Sequence, residues 1–396
     1  MELVRTALGD RPDPSMSPTP VTFTSPTAPA SYSWEATDEE VAARYGVPIE
    51  EVVRFDLNTS PSPPDLAARV LKAGRFETPL SEYAPSDYRR LVAAAAARYD
   101  VGTDEIIVGA GADEILDIVG KVFLPPGATA IVPTPSYAMY RVITEQRGAQ
   151  VRAVPRLAAE AGYAADLPAV REAARSAALV WLCSPNNPTA QPEPDGAIET
   201  LLSGLAEDAK ADGREAPTVV LDEAYAEFVD RSLVGLRAAY PRLIVVRTAS
   251  KAYALAGLRV GFGVARPEII SALNPFRPPG SVSTVSVTVV TEALLDPTAA
   301  TANIERVVRE RERLSAALTA IGWNVGPSVT NFLLVDLGSL EGAAAAAERL
   351  LQRGLVPRTF PAGHPLADHL RLTVRAPAEN DRLIEAARYL ASEIAT

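Results

Sequence analysis

Residues 243–259 read Leu-Ile-Val-Val-Arg-Thr-Ala-Ser-Lys-Ala-Tyr-Ala-Leu-Ala-Gly-Leu-Arg. Leu243 to Arg247 is an apolar run suited to a buried strand, and Thr248-Ala249-Ser250-Lys251 follows its end. A lysine just past such a strand, continued by Ala252-Tyr253-Ala254-Leu255, is poorly placed for plain solvation. Burial lowers the pKa of an amine, and the neutral amine is the nucleophile that forms an imine with a carbonyl. Thr248, Ser250 and Arg259 could bind a phosphate beside it. The segment taken alone also suits a lysine that snorkels from a domain edge.

Apolar runs of the same kind flank this one. Strands are expected at Ile106 to Val108, Thr129 to Val132, Gln150 to Val154, Ala178 to Cys183, Thr218 to Leu221 and Arg259 to Val264. Helical patterns lie between them at Ala84 to Tyr99, Glu114 to Phe123 and Ser136 to Arg147. Unbroken apolar strands indicate a parallel sheet buried on both faces, and the alternation indicates an α/β fold. Ligands of such sheets sit beyond the carboxyl ends of the strands. After residue 300 the rhythm changes. A long charged helix, Asn303 to Ala320, leads to a strand at Phe332 to Val335 and a helix at Gly342 to Arg353. Leu355-Val356, a strand at Leu370 to Val374 and a helix from Ala378 complete a smaller α+β unit.

Near the start, Thr37-Asp38-Glu39-Glu40 has the form of a capping box for a helix ending at Gly46, and Val53 to Leu57 suits a short strand. Residues 1–33 are rich in Pro, Ser and Thr and are expected to be a flexible arm. Residues 34–60 are expected to join the small domain, 61–295 to form the large domain, and 296–396 to form the small C-terminal domain.

Composition removes several function classes. A net charge of -11 disfavours nucleic acid or an acidic membrane as partner. No apolar run approaches the ~20 residues that span a bilayer. Met1 to Asp10 lacks the basic start and apolar core of a secretory signal, so the expected location is the cytoplasm. The single cysteine, Cys183, excludes an internal disulfide, and with only His364 and His369 beside it the usual zinc constellation is out of reach, so no metal is expected. No Gly-x-Ser-x-Gly elbow occurs. The chemistry therefore calls for an organic cofactor. Lysine is scarce: Lys72, Lys121, Lys210 and Lys251 stand among 38 basic residues, which makes Lys251 less routine.

Polar clusters fall where strands end. Gly109-Ala110-Gly111-Ala112-Asp113-Glu114 joins a strand to a helix, so small residues bring backbone amides and a helix N-terminus up to an anion. An ordinary glycine turn has the same form. Ser184-Pro185-Asn186-Asn187-Pro188-Thr189 follows Cys183, and its prolines would hold Asn187 as a fixed donor or shape a plain turn. Asp222-Glu223-Ala224-Tyr225 puts a carboxylate at a buried strand end, where it needs a partner such as a protonated ring nitrogen, or a structural ion pair. Tyr137, in Pro133-Thr134-Pro135-Ser136-Tyr137, could stack on a flat ring or simply pack in its loop.

Together these segments, with Leu370-Arg371-Leu372-Thr373, resemble the fold-type I aminotransferases that use pyridoxal 5'-phosphate, and most of all the histidinol-phosphate aminotransferase family. The resemblance runs from about Arg54 to the C-terminus. It implies a mostly parallel sheet in the large domain and a Schiff base between Lys251 and the cofactor. In the same family pattern Lys251 shuttles the proton between the substrate α-carbon and the cofactor. Asp222 would pair with the ring nitrogen. Asn187 and Tyr225 would bond the ring hydroxyl, and Tyr137 would stack on the ring. The amides of Ala112 and Asp113, with Thr248, Ser250 and Arg259, would hold the phosphate. Tyr83 resembles a tyrosine that reaches the phosphate from the neighbouring subunit, which implies a homodimer with shared active sites. Arg371 matches the arginine that holds the substrate's acidic group, and Arg358 resembles a second one near the substrate phosphate. Asn58 resembles an asparagine of the substrate-side loop, and Tyr32 is a candidate arm tyrosine that closes over the substrate.

The substrates implied are an amino donor and a 2-oxo acid, with histidinol phosphate and 2-oxoglutarate as the leading pair. An aromatic or broad-specificity amino-acid aminotransferase and a threonine-phosphate decarboxylase share the machinery. Departures cluster on the substrate side. The family's Asn-Glu-Asn-Pro reads Asn58-Thr59-Ser60-Pro61, its Pro-Thr-Gly reads Pro188-Thr189-Ala190, and its Ser-Lys-Ala-Phe-Gly reads Ser250-Lys251-Ala252-Tyr253-Ala254. Ala84 is inserted between Tyr83 and Pro85.

Overall fold

The structure is a computed structural model that describes residues 31–394, with side chains to residue 390. Most of the expected arm, residues 1–30, lies outside the described residues. The strands in chain order are β1 (Val53–Arg54), β2 (Ile106–Gly109), β3 (Thr129–Thr134), β4 (Gln150–Pro155), β5 (Leu179–Cys183) and β6 (Thr218–Asp222). They continue as β7 (Leu243–Thr248), β8 (Gly261–Val264), β9 (Asn324–Val325), β10 (Phe332–Asp336), β11 (Leu355–Val356) and β12 (His369–Thr373).

Seven of them form one sheet in the order β2-β8-β7-β6-β5-β3-β4. β3 to β7 are parallel, while β8 runs antiparallel to both β2 and β7. Alternate residues serve two different cores. Trp181, Cys183, Val220, Ile244 and Val246 pack on one face. Val180, Leu182, Val219, Leu221, Leu243 and Val245 pack on the other. Burial on both faces explains the unbroken apolar runs.

β12-β10-β9 form an antiparallel sheet, and β1 pairs in parallel with β11. A separate core joins Val53 and Phe55 near the start of the chain to Leu333, Leu355, Leu370 and Leu383 near its end.

Some expected boundaries move. The helix expected from Ala84 starts at Arg89, because Tyr88 takes a left-handed φ of 45° that buries its ring and lets its hydroxyl accept from the Val282 amide. The strand expected over Val53 to Leu57 ends at Arg54, and the chain turns at Asn58, φ 53°. The helix expected from Ser136 begins at Met139, and the strand expected from Arg259 begins at Gly261 because Arg259 is left-handed, φ 51°. The capping box at Thr37 and Glu40 and the left-handed Gly46 end the first helix as expected.

Candidate active site

The carboxyl ends of β5, β6 and β7 lie side by side, with Cys183 paired to Asp222 and Asp222 to Val246. Their loops open on one edge of the sheet and, with residues 56–59, line a cavity of about 650 Å³. Every residue singled out from the sequence lines it except Tyr83. Tyr83 is 88% exposed and stands outside the cavity, near Gly280.

Lys251 enters the cavity from the turn after β7. Its Nζ donates to the Asn58 carbonyl at 3.2 Å and lies 5.9 Å from the centre of the Tyr225 ring. Burial, reinforced by the Arg371 guanidinium, lowers its pKa to about 8. At neutral pH roughly a tenth of the amine is then nucleophilic, against well under a thousandth for an ordinary lysine. Asn303 Nδ2 fixes the turn by donating to the carbonyls of Lys251 and Ala252 at 3.2 and 2.9 Å.

β6 ends at Asp222, which is 4% exposed. Its Oδ2 accepts from the Tyr140 hydroxyl at 2.8 Å and its Oδ1 from the Ala224 amide at 3.0 Å. Burial raises its pKa to about 6 even though both bonds favour the ionised form. A carboxylate this deep gains from a cationic partner.

Three arginines and the helix after β2 supply positive potential. Arg371 Nη1 donates to Asn187 Oδ1 at 2.6 Å, and its Nη2 donates to the Asp56 carbonyl. Arg371 Nε is buried and has no partner among the described residues. Arg358 faces Arg371 across an isolated antiparallel bridge. Its Nη1 donates to the Ser33 carbonyl at 2.6 Å, and its guanidinium lies 5.3 Å from the Tyr32 ring centre and 3.6 Å from the Glu35 carboxylate. Tyr32 in turn sits 6.5 Å from Tyr137, whose hydroxyl donates to Asp113 Oδ1 at 2.9 Å. Asn58 Nδ2 donates to the Tyr225 hydroxyl at 3.0 Å.

The helix Ala112–Phe123 starts at Gly111 with no side-chain cap, so its first amides are open to an anion. Thr248 and Ser250, their hydroxyls 2.9 Å apart, and Arg259, bonded to Asp113 at 3.3 Å, share that corner. Gly261 makes the corner possible. It pairs with Gly109 on one side and Thr248 on the other, and a Cβ there would lie 2.3 Å from the carbonyl carbon of Gly111 and 2.4 Å from the Ala112 nitrogen.

A sequence profile described as aminotransferase class I and II matches residues 53–387. This chain belongs to the class I and II aminotransferases. Histidinol-phosphate aminotransferase of Symbiobacterium thermophilum is 36% identical over 361 residues, 86% of this chain and 93% of that protein. The Roseiflexus castenholzii enzyme of the same name is 34% identical over 363 residues, 89% of this chain and 93% of its own. The crystal structure of histidinol-phosphate aminotransferase from Sinorhizobium meliloti in complex with pyridoxal-5'-phosphate matches with a TM-score of 0.82 at 25% identity, covering 92% of this chain and 96% of that one.

The aminotransferase has the fold-type I architecture, and its cofactor is pyridoxal 5'-phosphate. The residues present fit that group. The uncapped helix start with two hydroxyls and a guanidinium suits a phosphate, Asp222 suits a protonated ring nitrogen, and the partly neutral Lys251 suits imine chemistry. Its substrates are amino and oxo acids, as for the family. Among the described residues no helix is long and apolar enough to cross a membrane.

Three of the departures from the family pattern have local consequences. The hydroxyl that Tyr253 adds accepts from Arg98 Nε at 3.0 Å. Ala190 and Ala254 hold left-handed conformations, φ 63° and 56°, where a glycine would be unstrained.

Sequence reasoning missed Tyr140, Asn303, Gly261, Trp34 and Asn331. Asn331 Nδ2 donates to the Asn58 carbonyl at 2.9 Å. Trp34 lines the cavity while 71% exposed, edge-on to Tyr32. Its spacing of two residues from Tyr32 was the available signal. The others act through contacts between distant segments and leave no local pattern.

Proposed function

We propose that this aminotransferase exchanges an amino group between histidinol phosphate and imidazole-acetol phosphate, with glutamate and 2-oxoglutarate as the second pair. The observation that carries this reading is the pairing of Arg358 with Arg371 across one bridge, both lining the cavity beside Tyr32 and Tyr137. Two guanidinium groups suit a doubly charged phosphate, which arginine binds bidentately. The names of the relatives from Symbiobacterium and Roseiflexus support the same substrate.

When bound, pyridoxal phosphate supplies an electron sink for the bonds of the substrate α-carbon. Lys251 would tether it, and the Lys251 amine would move the proton at that carbon. Asp222 keeps the ring nitrogen protonated. Asn187 and Tyr225 would bond the ring hydroxyl, and Tyr137 would pack on the ring face. The Ala112 and Asp113 amides, Thr248, Ser250 and Arg259 hold the phosphate. On the substrate side, Arg371 takes a carboxylate or the phosphate, and Arg358 is the second arginine at the phosphate. Asn58 shapes the loop beside Lys251, and Tyr32 closes over the substrate and excludes water.

Tyr83 completes the phosphate site of a partner subunit in a homodimer, a role its exposure supports. Residues 34–60 belong with the small domain 296–396, and 61–295 form the cofactor domain. The shared core of Val53, Phe55, Leu333 and Leu370 supports that division. The enzyme acts in the cytoplasm.

The second reading is an aromatic or broad-specificity amino-acid aminotransferase. It is favoured by the engagement of Arg358 with Ser33, Glu35 and Tyr32, which leaves Arg371 as the principal anion site. Single-turnover spectroscopy of the loaded protein separates the two. Fast loss of the visible band with histidinol phosphate and glutamate, and slow loss with phenylalanine, supports the first. A preference for phenylalanine or tyrosine moves the assignment to the second. Release of carbon dioxide from threonine phosphate without an oxo-acid acceptor rejects both.

A further inference from the structure

We propose that Tyr140 is a positioning residue for the reaction, its hydroxyl holding the Asp222 carboxylate ionised and aimed at the cofactor's ring nitrogen. The inference rests on the reading of Asp222 given above and adds the residue on which that carboxylate depends.

Tyr140 sits on the helix Met139–Gln146 and is fully buried. Its ring stacks on Trp181, centroids 5.4 Å apart and planes 8° from parallel, and meets Tyr137 edge-on at 5.7 Å. Thr144 Oγ1 donates to the Tyr140 carbonyl at 2.6 Å and accepts from Trp181 Nε1 at 3.1 Å. Ring and backbone are therefore fixed by packing, and the hydroxyl proton is directed to Asp222 Oδ2 at 2.8 Å.

Asp222 is surrounded by titratable groups: Tyr225 on its own loop, and Tyr140, Cys183, Lys251 and Asp113 from four other segments. Of these, only Tyr140 bonds its carboxylate, the other oxygen resting on the Ala224 amide. Burial pushes the phenol's pKa up, so Tyr140 stays protonated and keeps a proton to donate to Asp222. A carboxylate offers about four acceptor places and the protein fills two, which leaves room for a ring N–H. A hydrogen bond to the ionised form lowers a carboxylate's pKa and so opposes the burial that would neutralise it. Without the hydroxyl, Asp222 keeps a single backbone donor and loses both orientation and charge.

The test compares the full-length protein with Tyr140→Phe, with 3,5-difluorotyrosine at position 140, and with Asp222→Ala. Phenylalanine keeps the stack on Trp181 and removes only the donor, while the fluorinated ring is a more acidic donor of nearly the same size. The cofactor dissociation constant, kcat, KM and the pH titration of the visible band are measured, with melting of each apoprotein. In Tyr140→Phe the cofactor dissociation constant rises about tenfold and kcat falls roughly ten- to a hundredfold, the scale of one hydrogen bond to a charged group, with donor KM within about twofold. The acid limb of the band moves to higher pH in Tyr140→Phe and to lower pH with difluorotyrosine. Both constants within about twofold of wild type, or shifts of the same sign in the two proteins, overturn the proposal. If Tyr140→Phe does not fold, the direction of the difluorotyrosine shift decides alone. Wild-type cofactor binding in Asp222→Ala would instead remove the reading of Asp222 itself.

Discussion

Lys251 Nζ donates to the backbone carbonyl of Asn58, 3.2 Å away, although 193 residues separate the two in sequence. Asn58 is held on every side: its amide donates to Thr373 Oγ1 at 2.9 Å, its Nδ2 to Tyr225, and its carbonyl also accepts from Asn331. The Lys251 amine is thus located by a loop pinned between the β6 loop and β12. Removing the amine by Lys251→Ala is expected to abolish the visible band of the loaded protein and to lower transamination by several orders of magnitude. Retained turnover in a band-free protein would show that another group does the work.

The lowered pKa of Lys251 has two consequences of known sign. Capture of pyridoxal phosphate by the apoprotein should rise with pH up to about 8 and level off above it, because only the neutral amine reacts. Between about 8 and the ordinary 10.5 the unfolded chain binds more protons at this site than the folded one, so apoprotein stability gains with rising pH in that window. Stopped-flow capture rates and melting curves of wild type against Lys251→Met check both, and a wild-type minus variant melting difference that is flat from pH 8 to 10.5 would contradict the linkage.

Gly261 admits the helix start to the end of β7. Gly261→Ala should therefore force Gly111 and Ala112 away from Thr248 and raise the cofactor dissociation constant by roughly a hundredfold, equivalent to ~3 kcal/mol of displaced phosphate contacts. Fluorescence titration of the apoprotein measures it. A dissociation constant near wild type would mean that the corner tolerates displacement.

Arg358→Ala separates the two substrate readings. With a phosphate-bearing donor, kcat/KM should fall roughly ten- to a hundredfold, the scale of a lost charged hydrogen bond. With phenylalanine or glutamate it should change by less than about threefold. Equal losses for both classes would assign Arg358 to the architecture of the Tyr32 and Glu35 segment rather than to substrate.

Ala254 holds φ 56° in the turn after Lys251, and its amide donates to the Lys251 carbonyl at 3.1 Å. Ala254→Gly should relieve about 1 kcal/mol of backbone strain and raise the melting temperature by a few degrees. Ala190→Gly should gain less, since the Ala190 methyl is fully buried. Calorimetry of the two variants tests the order.

Much of the site was legible because its parts lie at strand ends and each part is local. Thr248 to Lys251, Asp222 to Tyr225, and Asn187 each follow an apolar run that announces its own strand. The helix start at Tyr88 was not legible, because a buried ring and a bond from Val282 overrode a helical pattern that continues back to Ala84. Tyr140 lies inside a helical pattern with nothing local to single it out, and only the packing of that helix beside β6 brings its hydroxyl to Asp222.

The sequence by itself determined the α/β alternation through its periodicity, and its short motifs, each within a dozen or so residues, carry the family resemblance that implies the cofactor and points to Lys251. The tertiary structure alone decided what tunes those residues. The lowered pKa of Lys251, the Tyr140 bond that opposes the neutralisation of Asp222, and the bridge that sets Arg358 against Arg371 all join segments far apart in the chain. Burial and charge pairing depend on distance in space, which no local pattern encodes.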